Sequence, residues 1–174
     1  MRFFHRYQST IHGNYRKGYL RCGALTGLLL MLYVMVRYLI GMPSETPEGY
    51  AVDGILLAAV VVFIYLYRNS LTEQRATLKE LMLFGMGTAV LASMLYGLFL
   101  WAFGVGVPSQ TVLFTKTLTG TEILTTDPEL HYWAAWWAIV AGIKMALLGA
   151  FGAFMGALFF RNEKGEVVSK EKER

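Results

Sequence analysis

The chain has 174 residues, of which 55% are hydrophobic and 16% charged, with a net charge of +4 and one cysteine. Its mean hydropathy is positive, which sets it apart from soluble domains of similar size. The basic residues punctuate long apolar runs instead of gathering on one patch, so the charge points to a membrane and excludes nucleic acid as a partner; the lone Cys22 excludes an intrachain disulfide.

In chain order, residues 1–21 (MRFFHRYQSTIHGNYRKGYLR) interleave aromatic and basic side chains and are expected to form an arm in the headgroup layer. Four apolar runs follow, judged against the roughly 20 helical residues that cross a hydrocarbon layer of about 30 Å. Residues 22–42 are interrupted only by Arg37, and residues 51–67 carry Asp53 near their start. Residues 81–107 hold no charge, and residues 133–160 hold only Lys144. The expected fold is therefore an all-α integral membrane protein, a four-transmembrane-helix bundle. The final segment, residues 161–174, alternates in charge, lacks bulky apolar groups and is expected to be a solvated tail.

The connections set direction, because cytoplasmic segments retain lysine and arginine. Arg2, Arg6, Arg16, Lys17 and Arg21 precede the first span; Arg68, Arg75 and Lys79 lie between the second and third; Arg161, Lys164, Lys170, Lys172 and Arg174 close the chain. The other side has Lys116 alone and several acids, so both termini are expected in the cytoplasm. The first apolar run is too long for a secretory signal and has no cleavage site after it, which makes it an uncleaved anchor. The GMPSETPEG segment reads as a compact turn between spans one and two. Residues 108–132 are long for a connection, and their TVLFTKT and TEILTT stretches are compatible with a small hairpin or a plain surface loop.

Helices in lipid associate through close backbone approach and polar contacts, so small residues mark the contact faces. The third span carries Gly85, Ala89, Ser93 and Gly97 at four-residue intervals; the first offers Gly23 and Gly27, and the fourth Gly142, Ala146, Gly149 and Ala153. Such ridges predict a tight bundle or one that also forms homo-oligomers.

Lys144 falls on the helical face opposite Gly142, Ala146 and Ala153, toward lipid or another subunit. Snorkelling is geometrically favoured, because helical side chains lean toward the helix N-terminus. A mid-span lysine costs roughly 2.5 to 3.5 kcal/mol, which the apolar residues of its span can offset at about 0.3 to 0.6 kcal/mol each. A partner within the membrane and a transport role are the alternatives. Arg37 shares a face with Gly23, Thr26 and Gly27 and leans away from the nearer interface, so a partner suits it better. Asp53, across the short turn, is the expected counter-ion, fixing the hairpin.

No His-rich box, G-x-S-x-G, phosphate-binding loop or HExxH occurs, and His5, His12 and His131 share no ligand spacing with Cys22 or an acid. Neither catalytic residues nor a cofactor or metal are expected. The Gly-x-x-x-Gly opening of span one, the YLYRN that closes span two, the Tyr96-Gly97 of span three and the FFRNEK that closes span four together resemble a four-span bacterial membrane family, domain of unknown function 4199. The resemblance covers nearly the whole chain and implies a bacterial inner-membrane protein, with no activity or site residue to carry over. The expected function is that of an accessory or scaffold subunit acting through helix packing and its 108–132 loop, with lipids and a larger complex as partners. The alternative is a small transporter or oligomeric channel using Arg37 and Lys144.

Overall fold

The computed structural model describes residues 15–40, 50–70, 77–107 and 129–160, and between the last two Ser109, Thr111, Val112 and Lys116. The GMPSETPEG turn, the first fourteen residues, the TEILTT stretch and the charged tail lie outside the described residues. Four long helices organise the rest: α1 (Tyr15–Leu39), α2 (Tyr50–Ser70), α3 (Leu78–Gly106) and α4 (Leu130–Phe160). All four contain stretches long and apolar enough to cross a membrane. At helical rise α3 and α4 are about 43 and 46 Å long, more than a hydrocarbon layer of about 30 Å requires.

Helix α1 begins at Tyr15, within the 1–21 stretch expected as an arm. Lys17 and Arg21 are exposed and ride on the first turns of the helix, where their aliphatic stems can lie along apolar surface while the charges reach water. Of the connection expected as a small hairpin or a plain surface loop, the described residues Ser109, Thr111, Val112 and Lys116 are helical. Thr111 shows why a threonine-rich stretch need not extend: its hydroxyl donates to the Gly104 carbonyl at 2.9 Å, satisfying a group at the C-terminal end of α3.

Helix α3 is the hub. Its most extensive interface is with α4, the next with α1, and it also meets α2; α1 and α4 share no interface among the described residues. The chain neighbours α1 and α2 touch least of the contacting pairs. At the other end of the scale, the α3–α4 seam is antiparallel and built from small residues. A β-carbon placed on Gly85 would lie 2.7 Å from Cβ of Ala153, one on Gly149 2.5 Å from Cβ of Ala89, and one on Gly97 3.3 Å from the Ala138 carbonyl. Only glycine leaves room at these points for the backbones to approach. Gly23 serves α1 in the same way, its added β-carbon falling 2.9 Å from both the Thr88 carbonyl and Cβ of Leu91 on α3.

The hydroxyls along these seams are satisfied within their own helices: Thr26 donates to Cys22 O, Thr88 to Phe84 O and Ser93 to Ala89 O, at 2.8 to 2.9 Å. Each therefore packs as a small group without an unmet polar demand. Larger side chains fill the space beside the seams, among them Leu30, Leu56, Ile64, Phe84, Leu100 and Trp137, all fully buried. Tyr67 stacks on Phe84 with centroids 4.2 Å apart, pinning the end of α2 to the start of α3.

The outside of the bundle is as apolar as the inside. Leu28, Val62, Met94, Leu98, Ile143, Leu147 and Phe151 are all more than half exposed. A water-soluble domain would not spread such residues over every helix; hydrocarbon as the surrounding solvent removes the conflict.

Candidate functional site

Asp53 and Lys144 form the polar centre of the described bundle. Asp53 stands in the first turn of α2, where a carboxylate is favoured by the unpaired N–H groups and partial positive charge of a helix start. Lys144 projects from the middle of α4, 14 residues from its beginning or about 21 Å along the axis. Lys144 Nζ lies 3.0 Å from Asp53 Oδ2, with the two side chains 43% and 19% exposed. The second carboxylate oxygen, Oδ1, is buried and takes no hydrogen bond among the described residues.

This pairing corrects the expected Arg37–Asp53 bridge, and it replaces snorkelling as the account of Lys144. The reason is register. Tyr38, next to Arg37, packs edge-on against Phe103 near the end of α3. Gly142, two residues before Lys144, faces the Ser93 carbonyl of α3. Ten residues of α3 separate those levels, on the order of 15 Å of helical rise, too far for one ion pair to bridge. Leu56, Leu57 and Ile64 of α2 pack against Gly149, Gly152 and Gly156 of α4, which fixes α2 against α4 instead of against α1. Arg37 is partly buried and its guanidinium carbon sits 5.9 Å from the centroid of the Tyr33 ring, a cation–π contact one turn back on its own helix.

A cleft of about 560 Å³ opens at the ion pair, lined by Asp53, Val140, Ile143, Lys144, Leu147 and Leu148. Among the described residues that line it, the two members of the pair are the charged groups, and the rest are aliphatic. A second groove, of about 620 Å³, runs along the α3–α4 seam. Ser93, Gly97, Ala138, Gly142 and Ala146 form its floor side, with Met94 and Trp101 on its rim. Thus Gly97, Gly142 and Ala146 both belong to the seam and border open space, whereas Gly85, Ala89, Ser93, Gly149 and Ala153 lie buried. Gly23 and Gly27 are buried against α3.

Sequence reasoning singled out the three charges within the apolar stretches and missed which two meet. The available signal was their number: one acid among two bases leaves two possible pairs, and only the axial offset between helices decides. Among the described residues no group of three His, Cys, Asp or Glu side chains is placed to hold a metal ion. His131 is exposed near the start of α4, beside the aromatic group Tyr132, Trp133 and Trp136. No family model, no curated protein and no solved structure matches the chain.

Proposed function

We propose that the protein is an accessory or scaffold subunit of the bacterial inner membrane, with both termini in the cytoplasm, that acts by packing against other membrane helices. The supporting observation is the Lys144–Asp53 pair. A bundle that only needed to insert would gain by directing apolar side chains outward at that depth, yet its central cation remains 43% exposed beside an open cleft. Charged groups at the middle of a span carry a cost in lipid that a protein neighbour relieves. The α1–α3 seam at Gly23 and the α3–α4 seam at Gly85 and Gly149 are closed by small residues, so the polar site faces outward from a packed core and suits contact better than conduction.

The test is recovery of the protein from its native membrane in mild detergent after brief cross-linking. Specific co-recovery of a membrane protein, reduced when Lys144→Leu is introduced, is the expected outcome; a strictly monomeric species without partners would overturn the reading. A second reading, a small transporter, is favoured by the cleft at the ion pair. Protein-dependent ion or proton flux in liposomes that changes with Lys144→Leu would support it, and absence of flux from the wild type would end it.

A further inference from the structure

We propose that the α2–α4 face carrying Asp53 and Lys144 is the contact between two copies of this chain, related by a twofold axis along the membrane normal. The inference rests on the scaffold reading and names its partner.

The charge pattern selects a second copy. A face with one cation and one anion is complementary to itself under a twofold rotation, which sets residue i against j and j against i. Because Lys144 Nζ and Asp53 Oδ2 are 3.0 Å apart, they occupy one depth. Rotation about the normal keeps that depth, so each ammonium arrives level with the other copy's carboxylate. A rotation about an axis in the membrane plane would instead invert one copy. The resulting four-charge cluster buries a lysine that is otherwise 43% exposed, and it adds a second acidic neighbour to each.

The neighbouring backbone permits the approach. Gly54 follows Asp53 on α2, is exposed, and has no atom within 4 Å of where a β-carbon would stand. Ala58, one turn on, is exposed too. They differ from the seam glycines Gly23, Gly85 and Gly149, whose missing side chains are occupied by a neighbouring helix. Beside the pair, Ile143 and Leu147 supply exposed apolar surface, so the charges would be enclosed by a dry rim, where their attraction is strongest.

The experiment uses the full chain in liposomes at low protein-to-lipid ratio, with buried Cys22 replaced by alanine. Oxidation of Gly54→Cys should give a disulfide-linked dimer, while Val90→Cys, exposed on the rim of the α3–α4 groove, should remain monomeric. Gly54→Leu, which keeps both charges and whose β-carbon has open space, should lower dimer yield by about tenfold or more, read by single-molecule photobleaching. Lys144→Asp should do the same, and the exchange Asp53→Lys with Lys144→Asp should restore the dimer. Monomeric Gly54→Cys, or equal cross-linking from Val90→Cys, would overturn the proposal. Should other membrane proteins still be recovered with a monomeric chain, the twofold contact is refuted while the scaffold reading stands.

Discussion

Gly149 of α4 sits so close to Ala89 of α3 that a single added carbon would fall 2.5 Å from the alanine Cβ. Gly85 and Ala153 repeat the relationship one turn away with their roles exchanged, glycine on α3 and alanine on α4. The seam is therefore limited by backbone contact, and alanine at either glycine must push the helices apart. Gly149→Ala and Gly85→Ala are each expected to destabilise the bundle by about 1–3 kcal/mol. Gly54→Ala, in open space, should be neutral or slightly stabilising, since alanine is the better helix former by up to about 1 kcal/mol. Unfolding in mixed micelles of increasing denaturing detergent measures all three, and equal effects at Gly54 and Gly149 would contradict the seam.

The ion pair makes a sharper prediction, because removing one charge strands the other. Asp53→Leu leaves an ammonium in the apolar zone and Lys144→Met leaves a carboxylate, whereas the double substitution leaves neither. Each single variant should lose more stability than the double variant, by about 1–3 kcal/mol. A double-mutant cycle on the same unfolding transition gives the coupling. Arg37→Leu supplies the contrast: its cation–π contact is with Tyr33 of its own helix, so combining it with Asp53→Leu should be additive. Coupling between Arg37 and Asp53 instead would restore the hairpin bridge that the helix register excludes.

Apolar run length placed all four helices, because the requirement to cross hydrocarbon is written residue by residue. Their ends were less legible. The sequence boundary at Cys22 follows hydropathy, but Lys17 and Arg21 are compatible with a helix whose first turns meet water, and α1 begins at Tyr15. The ridges of small residues marked faces suited to close approach, while the antiparallel pairing of α3 with α4 is read from the structure. The order of packing did not follow: that α2 sits against α4 more than against α1 depends on Leu56, Leu57 and Ile64 entering spaces left by Gly149, Gly152 and Gly156. No local pattern in α2 states which glycines will receive those side chains. The wrong partner for Asp53 followed from assuming that a short connection places two helix ends at one depth.

The start of α3 is fixed by a reciprocal cap that can be tested independently of the membrane interior. The Thr77 hydroxyl accepts from the Glu80 N–H at 3.3 Å, and the Thr77 N–H donates to the Glu80 carboxylate at 2.9 Å. Such a box satisfies two donors that the first helical turn leaves open. Thr77→Ala should cost about 1 kcal/mol, and Glu80→Gln less, since glutamine keeps an acceptor at the same reach. Amide exchange over residues 77–81 should quicken in Thr77→Ala while α4 is unaffected; unchanged exchange would mean the cap does not hold the helix start.

The fold also gathers charges that are distant in sequence, and this yields a prediction about direction. Tyr67 stacking on Phe84 sets the end of α2 beside the start of α3, and Gly87 of α3 faces Tyr19 near the start of α1. Lys17, Arg21, Arg68 and Lys79 consequently lie toward one end of the bundle, while Glu129 and His131 begin α4 at the other. Retention of basic residues on the cytoplasmic side then orients the whole unit, since reversing it would require moving all four basic groups across the membrane. In intact cells, with Cys22 replaced by alanine, Glu129→Cys should react with a membrane-impermeant thiol reagent. Lys79→Cys should react only after the membrane is breached. Labelling of Lys79→Cys alone from outside would invert the bundle and put the basic ends in the wrong compartment; labelling of both from outside would break the opposite ends that the antiparallel α3–α4 seam gives Lys79 and Glu129.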